Sequence, residues 1–234
     1  MRQIALDTET TGINFSDGHR VIEIGCIELD NRRVTGREYH CYLNPERDID
    51  EGAARVHGLT LDKLEGEPLF KDVVDEFLEF ISDSELIIHN AEFDLGFLNN
   101  ELSLVGQSES TIESYAMVLD TLKMARGMHP GKKNSLDALC NRYEIDRSMR
   151  QVHGALIDAE LLAKVYLAMT GGQEDLNLEQ IPNIQKNRRN NVKANNDLSL
   201  RVIPANASEL EAHEAFLTNM EKHGSCLWSE KLEK

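Results

Sequence analysis

The chain is short of positive charge: 25 Lys and Arg stand against 41 Asp and Glu, a formal net charge of −16. Proteins that grip nucleic acid over a long surface draw most of their affinity from Lys and Arg on phosphate, so this balance argues against that mode of binding. Cysteine is sparse and scattered. Cys26, Cys41, Cys140 and Cys226 lie far apart with no C-x-x-C spacing, which argues against both a zinc knuckle and a disulfide framework. Long apolar runs are missing too. No stretch approaches the roughly 18 uninterrupted apolar residues of a membrane helix, and the first apolar run is broken by Asp7 and Glu9. A soluble, cytoplasmic chain without a signal peptide is therefore expected. Tryptophan occurs once, as Trp228. With 234 residues, 41% of them hydrophobic, the chain suffices for one sizeable core and an appendage.

What is present begins at Gln3-Ile4-Ala5-Leu6-Asp7-Thr8-Glu9-Thr10. This reads as a short buried strand, and residues two apart on a strand share a face, so Asp7 and Glu9 present two carboxylates side by side. Such a pair raises a pKa or recruits a cation, and hard oxygen ligands select Mg2+ or Mn2+ over zinc. A lone D-x-E is more often a strand ending in a solvated acidic turn, so the pair needs further ligands to carry meaning.

Arg20 to Leu29 and Thr35 to Leu43 alternate apolar and polar residues about the Asp30-Asn31-Arg32-Arg33 turn, the pattern of a β-hairpin joined to the first strand. Asp50 to Val56 is a short helical piece. Leu69 to Ile81 carries the stripe of an amphipathic helix. Leu86 to Ile88 and Met117 to Leu119 are buried strands; Phe93 to Leu104, Ser135 to Tyr143 and Ala155 to Met169 are helices. Three consecutive strands followed by alternating helix and strand predict a mixed five-stranded α/β sheet flanked by helices. Composition changes after Gly171-Gly172: residues 173 to 197 are rich in Asn, Gln, Lys and Arg with few apolar anchors. The expected division is a domain over 1–171, a flexible linker over 172–197 and an ordered C-terminal segment over 198–234. In that segment Ser208 and Glu211 form a capping box for a helix over Leu210 to Met220.

Two further patterns supply ligands. In His89-Asn90-Ala91-Glu92-Phe93-Asp94 a strand runs out and a helix begins, which places Asp94 in the first turn near the sheet's end. In His153-Gly154-Ala155-Leu156-Ile157-Asp158 five positions separate His from Asp, and within one helix they would diverge by about 140°. Gly154 therefore keeps His153 on a loop while Asp158 sits in the first turn, and both can face one site. Taken singly, each is more often a helix-terminus carboxylate, a solvated residue or a structural histidine.

Together, in this order, the D-x-E strand end, the N-x-x-F-D junction and the H-x-x-x-x-D helix start resemble the DEDDh 3′-to-5′ exonucleases of the ribonuclease H-like fold. Ile4 to Gly12, Val21 to Gly25, Arg55 to Thr60 and Gly154 to Met169 are most similar to the proofreading subunits of bacterial replicative polymerases, and the likeness covers essentially the whole chain. The resemblance implies that Asp7, Glu9, Asp94 and Asp158 hold two divalent ions, Mg2+ or Mn2+, that clamp an in-line displacement at phosphorus, with His153 as the base that takes a proton from the attacking water. The substrate implied is a single-stranded or frayed 3′ end of DNA. Thr10 would approach the sugar, Val56, His57 and Phe93 would wedge or stack the terminal base, and His89 and Asn90 would bond phosphate or solvent.

An acidic enzyme of this kind holds few nucleotides and relies on partners for affinity. Those implied are a polymerase catalytic (alpha) subunit, bound through the C-terminal segment with Leu227 and Trp228, a small theta-like accessory subunit, and a sliding clamp. Gln173, Leu176 and Leu178 resemble the short peptides that dock on such clamps. Two rivals remain: a free-standing RNA-trimming DEDDh exoribonuclease, which has no evident need of the linker and tail, and an adaptor whose main task is to bridge polymerase and clamp.

Overall fold

The computed structural model describes residues 1–107, 109–148, 152–171 and 204–223. The expected linker, the peptide with Gln173, Leu176 and Leu178, and the tail with Leu227 and Trp228 lie outside the described residues. The chain divides into two compact units, Met1–Leu176 and Asn177–Lys234.

The first unit is built on five strands, β1 (Arg2–Thr10), β2 (Val21–Asp30), β3 (Arg33–Tyr42), β4 (Glu85–Ile88) and β5 (Met117–Asp120). They form one sheet in the order β3-β2-β1-β4-β5, antiparallel across β3-β2-β1 and parallel across β1-β4-β5. The hairpin between β2 and β3 turns on Asn31 and Arg32, both at positive φ (47° and 64°). That is the two-residue turn whose twist matches paired strands.

Among the described residues of this unit seven α-helices follow the chain: α1 (Glu51–His57), α2 (Leu61–Leu64), α3 (Phe70–Ile81), α4 (Ala91–Leu104), α5 (Thr121–Met128), α6 (Leu136–Arg142) and α7 (Ala155–Thr170). The strand period of two sorts β1 between the two helical layers. Ile4 and Leu6 enter a core with Phe77, Leu78, Phe97 and Leu98 of α3 and α4. Ala5 enters a second core with Leu139 of α6 and Leu162 and Val165 of α7. By the same alternation Thr8 faces the α4 side, while Asp7 and Glu9 continue the Ala5 face toward α7. The ends of β1, β4 and β5 lie together, so residues just past them converge on one rim of the sheet, as at the carboxyl ends of parallel strands generally.

The expected strands and long helices are present with ends shifted by a few residues. Helix α5 was not anticipated. Its start depends on Asp120, whose Oδ1 accepts from Leu122 N at 2.8 Å and Lys123 N at 3.2 Å, so the residue that ends a strand also caps the next helix.

In the second unit the described element is α8 (Ala207–His223). Its cap differs from the expected Ser208 and Glu211 pair. Asn206 Oδ1 accepts from Glu209 N at 3.0 Å while Asn206 N donates to Glu209 Oε2 at 2.9 Å, a capping box two residues earlier. Asn offers a carbonyl oxygen and Glu209 already lies three residues on, so the earlier pair forms and Ser208 serves instead as a donor to Asn206 Oδ1.

Candidate active site

The rim where β1 and β4 end opens into a cleft of about 260 Å3. Strand β1 brings Asp7, Thr8 and Glu9 to it; the β4-to-α4 junction brings His89, Asn90, Phe93 and Asp94. From the other layer come His153 and Asp158, with Leu136 at the start of α6. All five residues singled out for metal and proton chemistry therefore line one cavity, although they come from three separate parts of the chain. A larger groove of about 600 Å3 runs along the other flank of α4, past Glu92, Glu113, Asp120 and Lys123. It contains none of the five, so its size carries less weight than the chemistry of the smaller cleft.

Asn90 sets the β4-to-α4 junction by adopting the left-handed conformation (φ 71°, ψ 54°), which Asn tolerates better than most side chains. Helix α4 then starts at once and buries Asp94 at 3% exposure. Its Oδ1 accepts from Thr8 Oγ1 at 2.7 Å and from Thr8 N at 3.1 Å. Burial still dominates and pushes the Asp94 pKa up to about 7, with the nearby Asp120 carboxylate adding to the rise and the Thr8 donors opposing it.

On the opposite flank Gly154 is the extended N-cap of α7, and Asp158 N bonds Gly154 O at 2.9 Å in the first turn. His153 stays outside the helix, its N donating to Val56 O at 3.2 Å. Its Nδ1 lies 3.0 Å from Asp158 Oδ2. An ionised carboxylate only accepts, so Nδ1 carries the proton and Nε2 is left as the basic nitrogen.

The first turn of α7 can sit this low only because Gly25 lies beneath it. A Cβ on Gly25 would come within 2.3 Å of Ala155 C and Leu156 N, which no side chain tolerates. Gly25 is on the β2 register position opposite Asp7, so one missing methyl sets how closely the α7 carboxylate approaches the β1 carboxylates.

Glu9, His153 and Asp158 each offer a donor atom, and the three atoms lie within 4.8 Å of one another. With Asp7 and Asp94 in the same cleft, the set is rich in carboxylate oxygen, the chemistry that suits hard divalent cations. A cation bound there would offset the burial that raises the Asp94 pKa. The donor set thus fits divalent metal.

The family model described as Exonuclease matches residues 4–166, which take in the whole cleft. The DNA polymerase III subunit epsilon of Salmonella typhimurium LT2 is 48% identical over 235 residues, spanning 97% of either chain. The chain belongs to the DNA polymerase III epsilon subunit family. Its members include the Escherichia coli K12 subunit, 47% identical over 97% of either chain, and that of Rickettsia felis, 47% identical over 95% of this chain and 98% of the relative. An epsilon subunit is a proofreading 3′-to-5′ exonuclease, and this chain is one. Solved structures share the fold. Exonuclease X in complex with 5′ overhanging duplex DNA aligns with TM-score 0.55 and 23% identity, over 72% of this chain and 90% of that one. E. coli Exonuclease I in complex with a dA16 oligonucleotide aligns with TM-score 0.60 and 14% identity, over 72% and 40%.

Within this epsilon-family cleft the structure separates the residues expected to hold the 3′ end. His89, Asn90 and Phe93 line it; Thr10, Val56 and His57 do not. Thr10 is buried and its hydroxyl donates to Gly12 O at 2.6 Å, stabilising the turn that leaves β1. His57 is buried with Nδ1 accepting from Leu59 N at 3.1 Å, and burial pushes its pKa down. Val56 is 47% exposed on the surface behind His153. Sequence reasoning missed Thr8, Leu136, Asp120 and Gly25. Thr8 could have been found, since it lies between the two acidic residues, but the closeness of Gly25 and Leu136 to the site exists only in the folded chain.

Proposed function

We propose that this epsilon subunit removes the 3′-terminal nucleotide from single-stranded or frayed DNA as a deoxynucleoside 5′-monophosphate. The observation that carries this reading is the convergence of Asp7, Glu9, Asp94, Asp158 and His153 on one cleft from β1, α4 and the start of α7. The four carboxylates would hold two divalent cations, Mg2+ or Mn2+. Bound there, the cations would supply a water made more acidic and neutralisation of charge developing on phosphate oxygens. His153 Nε2 takes a proton from the attacking water, and Asp158 steadies the resulting imidazolium through Nδ1. A carboxylate has two oxygens, so Asp158 can orient His153 with one and face the cation site with the other. Phe93 offers a face on which the terminal base stacks, with His89 and Asn90 as polar contacts at the mouth. From outside the cleft, Thr10 would approach the sugar and Val56 and His57 would wedge the terminal base.

A site built for a single strand favours mispaired ends without reading the mismatch, because a mispaired end unpairs at lower cost. Affinity for the primer then comes from partners: the polymerase alpha subunit through the C-terminal segment with Leu227 and Trp228, the sliding clamp through Gln173, Leu176 and Leu178, and a theta-like accessory subunit on the nuclease unit. The division into nuclease 1–171, linker 172–197 and polymerase-binding segment 198–234, and a cytoplasmic location, belong to the same proposal; among the described residues no helix is long and apolar enough to cross a membrane.

Digestion of 5′-labelled DNA and RNA single strands with Mg2+, with and without the co-expressed polymerase subunit, tests the reading. Stepwise 3′ shortening of DNA, faster with the partner, is expected. Cleavage of RNA alone, or no metal-dependent cleavage, would overturn it.

A further inference from the structure

In a chain where acidic residues outnumber basic ones 41 to 25, the segment between Asp120 and Asp137 carries Lys123, Arg126, Lys132 and Lys133 and no carboxylate. All four cations are exposed. Lys123 reaches Asp120 at 3.8 Å, but among the described residues no carboxylate pairs with Arg126, Lys132 or Lys133. Elsewhere in the unit Arg20 is paired with Glu101 at 2.7 Å and Arg2 with Glu28 at 2.7 Å.

The loop between α5 and α6 that presents the two lysines is held in one shape. Arg142 Nη1 donates to Asn134 Oδ1 at 2.9 Å and Arg142 Nη2 to Lys133 O at 2.8 Å. Asn134 Nδ2 donates to His129 O at 3.3 Å, and Lys132 N to the same carbonyl at 3.2 Å. These bonds occupy the backbone and the neutral side chains and leave both ammonium groups to solvent. The loop also has a fixed place relative to the cleft. It runs directly into Leu136, which lines the cavity beside His89. The backbone of Asn134 bonds the His89 ring, whose pKa is pushed down chiefly by burial and further by the charge of Arg126.

A strand whose 3′ end lies among the carboxylates must leave over some wall of the cleft, carrying one negative charge per nucleotide. The carboxylate-lined walls repel it; this wall does not. We infer that Arg126, Lys132 and Lys133 form a rail for the backbone phosphates of the strand on the 5′ side of the nucleotide being removed. The inference rests on the exonuclease reading and extends it from the scissile bond to the part of the substrate that stays intact. The contacts are to phosphate, so they orient the strand without reading its sequence.

The test uses the full chain and the triple variant Arg126→Ala/Lys132→Ala/Lys133→Ala. Hydrolysis of oligothymidylates from the dinucleotide to a 20-mer is measured in Mg2+ at several salt concentrations. The expected result is a rise in KM of about fivefold or more on the 20-mer, with kcat little changed and a deficit that shrinks as the oligonucleotide shortens. Three lost phosphate contacts should also make the plot of log affinity against log salt shallower by about 2, at roughly 0.7 for each contact on a single strand. An unchanged KM and salt slope, or a deficit equal at every length, would overturn the rail. If the wild-type chain cut no oligonucleotide of any length, the exonuclease reading would be at fault. Fluorescence anisotropy of a labelled 20-mer in Ca2+ would then still decide the rail, through equal or unequal binding by wild type and variant.

Discussion

Helices α4 and α7 each deliver a carboxylate from the fourth residue of their first turn, Asp94 and Asp158, and each buries it to 3% exposure. Their surroundings differ. Asp94 faces neutral donors, the Thr8 hydroxyl and amide, and burial lifts its pKa to about 7. Asp158 faces an imidazole at 3.0 Å. Identical placement on a helix thus yields two chemical roles, because a carboxylate's behaviour is set by what stands opposite it rather than by its secondary structure. On the proposed reading the α7 flank serves proton transfer and the α4 flank serves cation binding.

The comparison is broken most completely by removing what both flanks share. Asp7 lies on the β1 face directed at α7 and lines the cleft with Asp94, so Asp7→Ala should cost several kcal/mol of transition-state stabilisation, about 10^3-fold or more in kcat. Circular dichroism should show an intact fold, and near-normal turnover would contradict the account. His153→Ala touches the α7 flank alone. A fall of about 10^2- to 10^4-fold in kcat is expected, with little change in DNA affinity. A pure KM effect would make His153 a substrate contact.

Gly25→Ala tests the same flank without altering a single cleft side chain. The new methyl must displace the Ala155 and Leu156 backbone, so the variant should lose about 1 to 3 kcal/mol of stability. It should also lose about tenfold in kcat, since a shift of about 1 Å can cost more than that. A folded variant with unaltered kcat would show that the height of α7 over β2 does not position His153 and Asp158.

Asp94→Asn sharpens the other side through the pH dependence of stability. In the metal-free chain a pKa of about 7, against an ordinary 3.8, means that the folded state holds a proton between those values that the unfolded state has released. Stability from this group is therefore greatest at low pH and falls as pH rises through that window. Asn cannot ionise, so in EDTA the variant should gain a few degrees in melting temperature over wild type at pH 8 and much less at pH 5. Buried His57 and half-buried His89 act in the opposite sense. Their lowered pKa values mean that the unfolded chain takes up protons first, so their contribution is lost as pH falls below about 6.5. A melting difference between Asp94→Asn and wild type that does not vary with pH would contradict the assigned protonation.

Much of this site is legible in the sequence because its parts are local. Period-two alternation puts Asp7 and Glu9 on one face before any tertiary contact is known, and Gly154 separates His153 from the helix that carries Asp158. What stays hidden depends on the fold closing. Gly25 reads as an ordinary strand glycine until the Ala155 backbone is found lying on it. Thr8 reads as filler between two acids until Asp94 arrives from 86 residues away. Thr10 carries a second task that its position does not suggest: its hydroxyl donates to Gly12 O in the turn after β1. Helix α5 is hidden because Asp120 reads as a strand end, and one side chain performs both tasks.

The central claim, that carboxylates from two flanks complete one binuclear site, is tested most directly by calorimetric titration of Mn2+ into the wild-type chain and into Asp94→Asn at pH 6 and pH 8. The account predicts two ions per wild-type chain, proton release on binding that is larger at pH 6, and loss of one ion together with that extra release in Asp94→Asn. Binding of a single ion by the wild type, or two ions bound by Asp94→Asn with the same pH-dependent proton release, would contradict it.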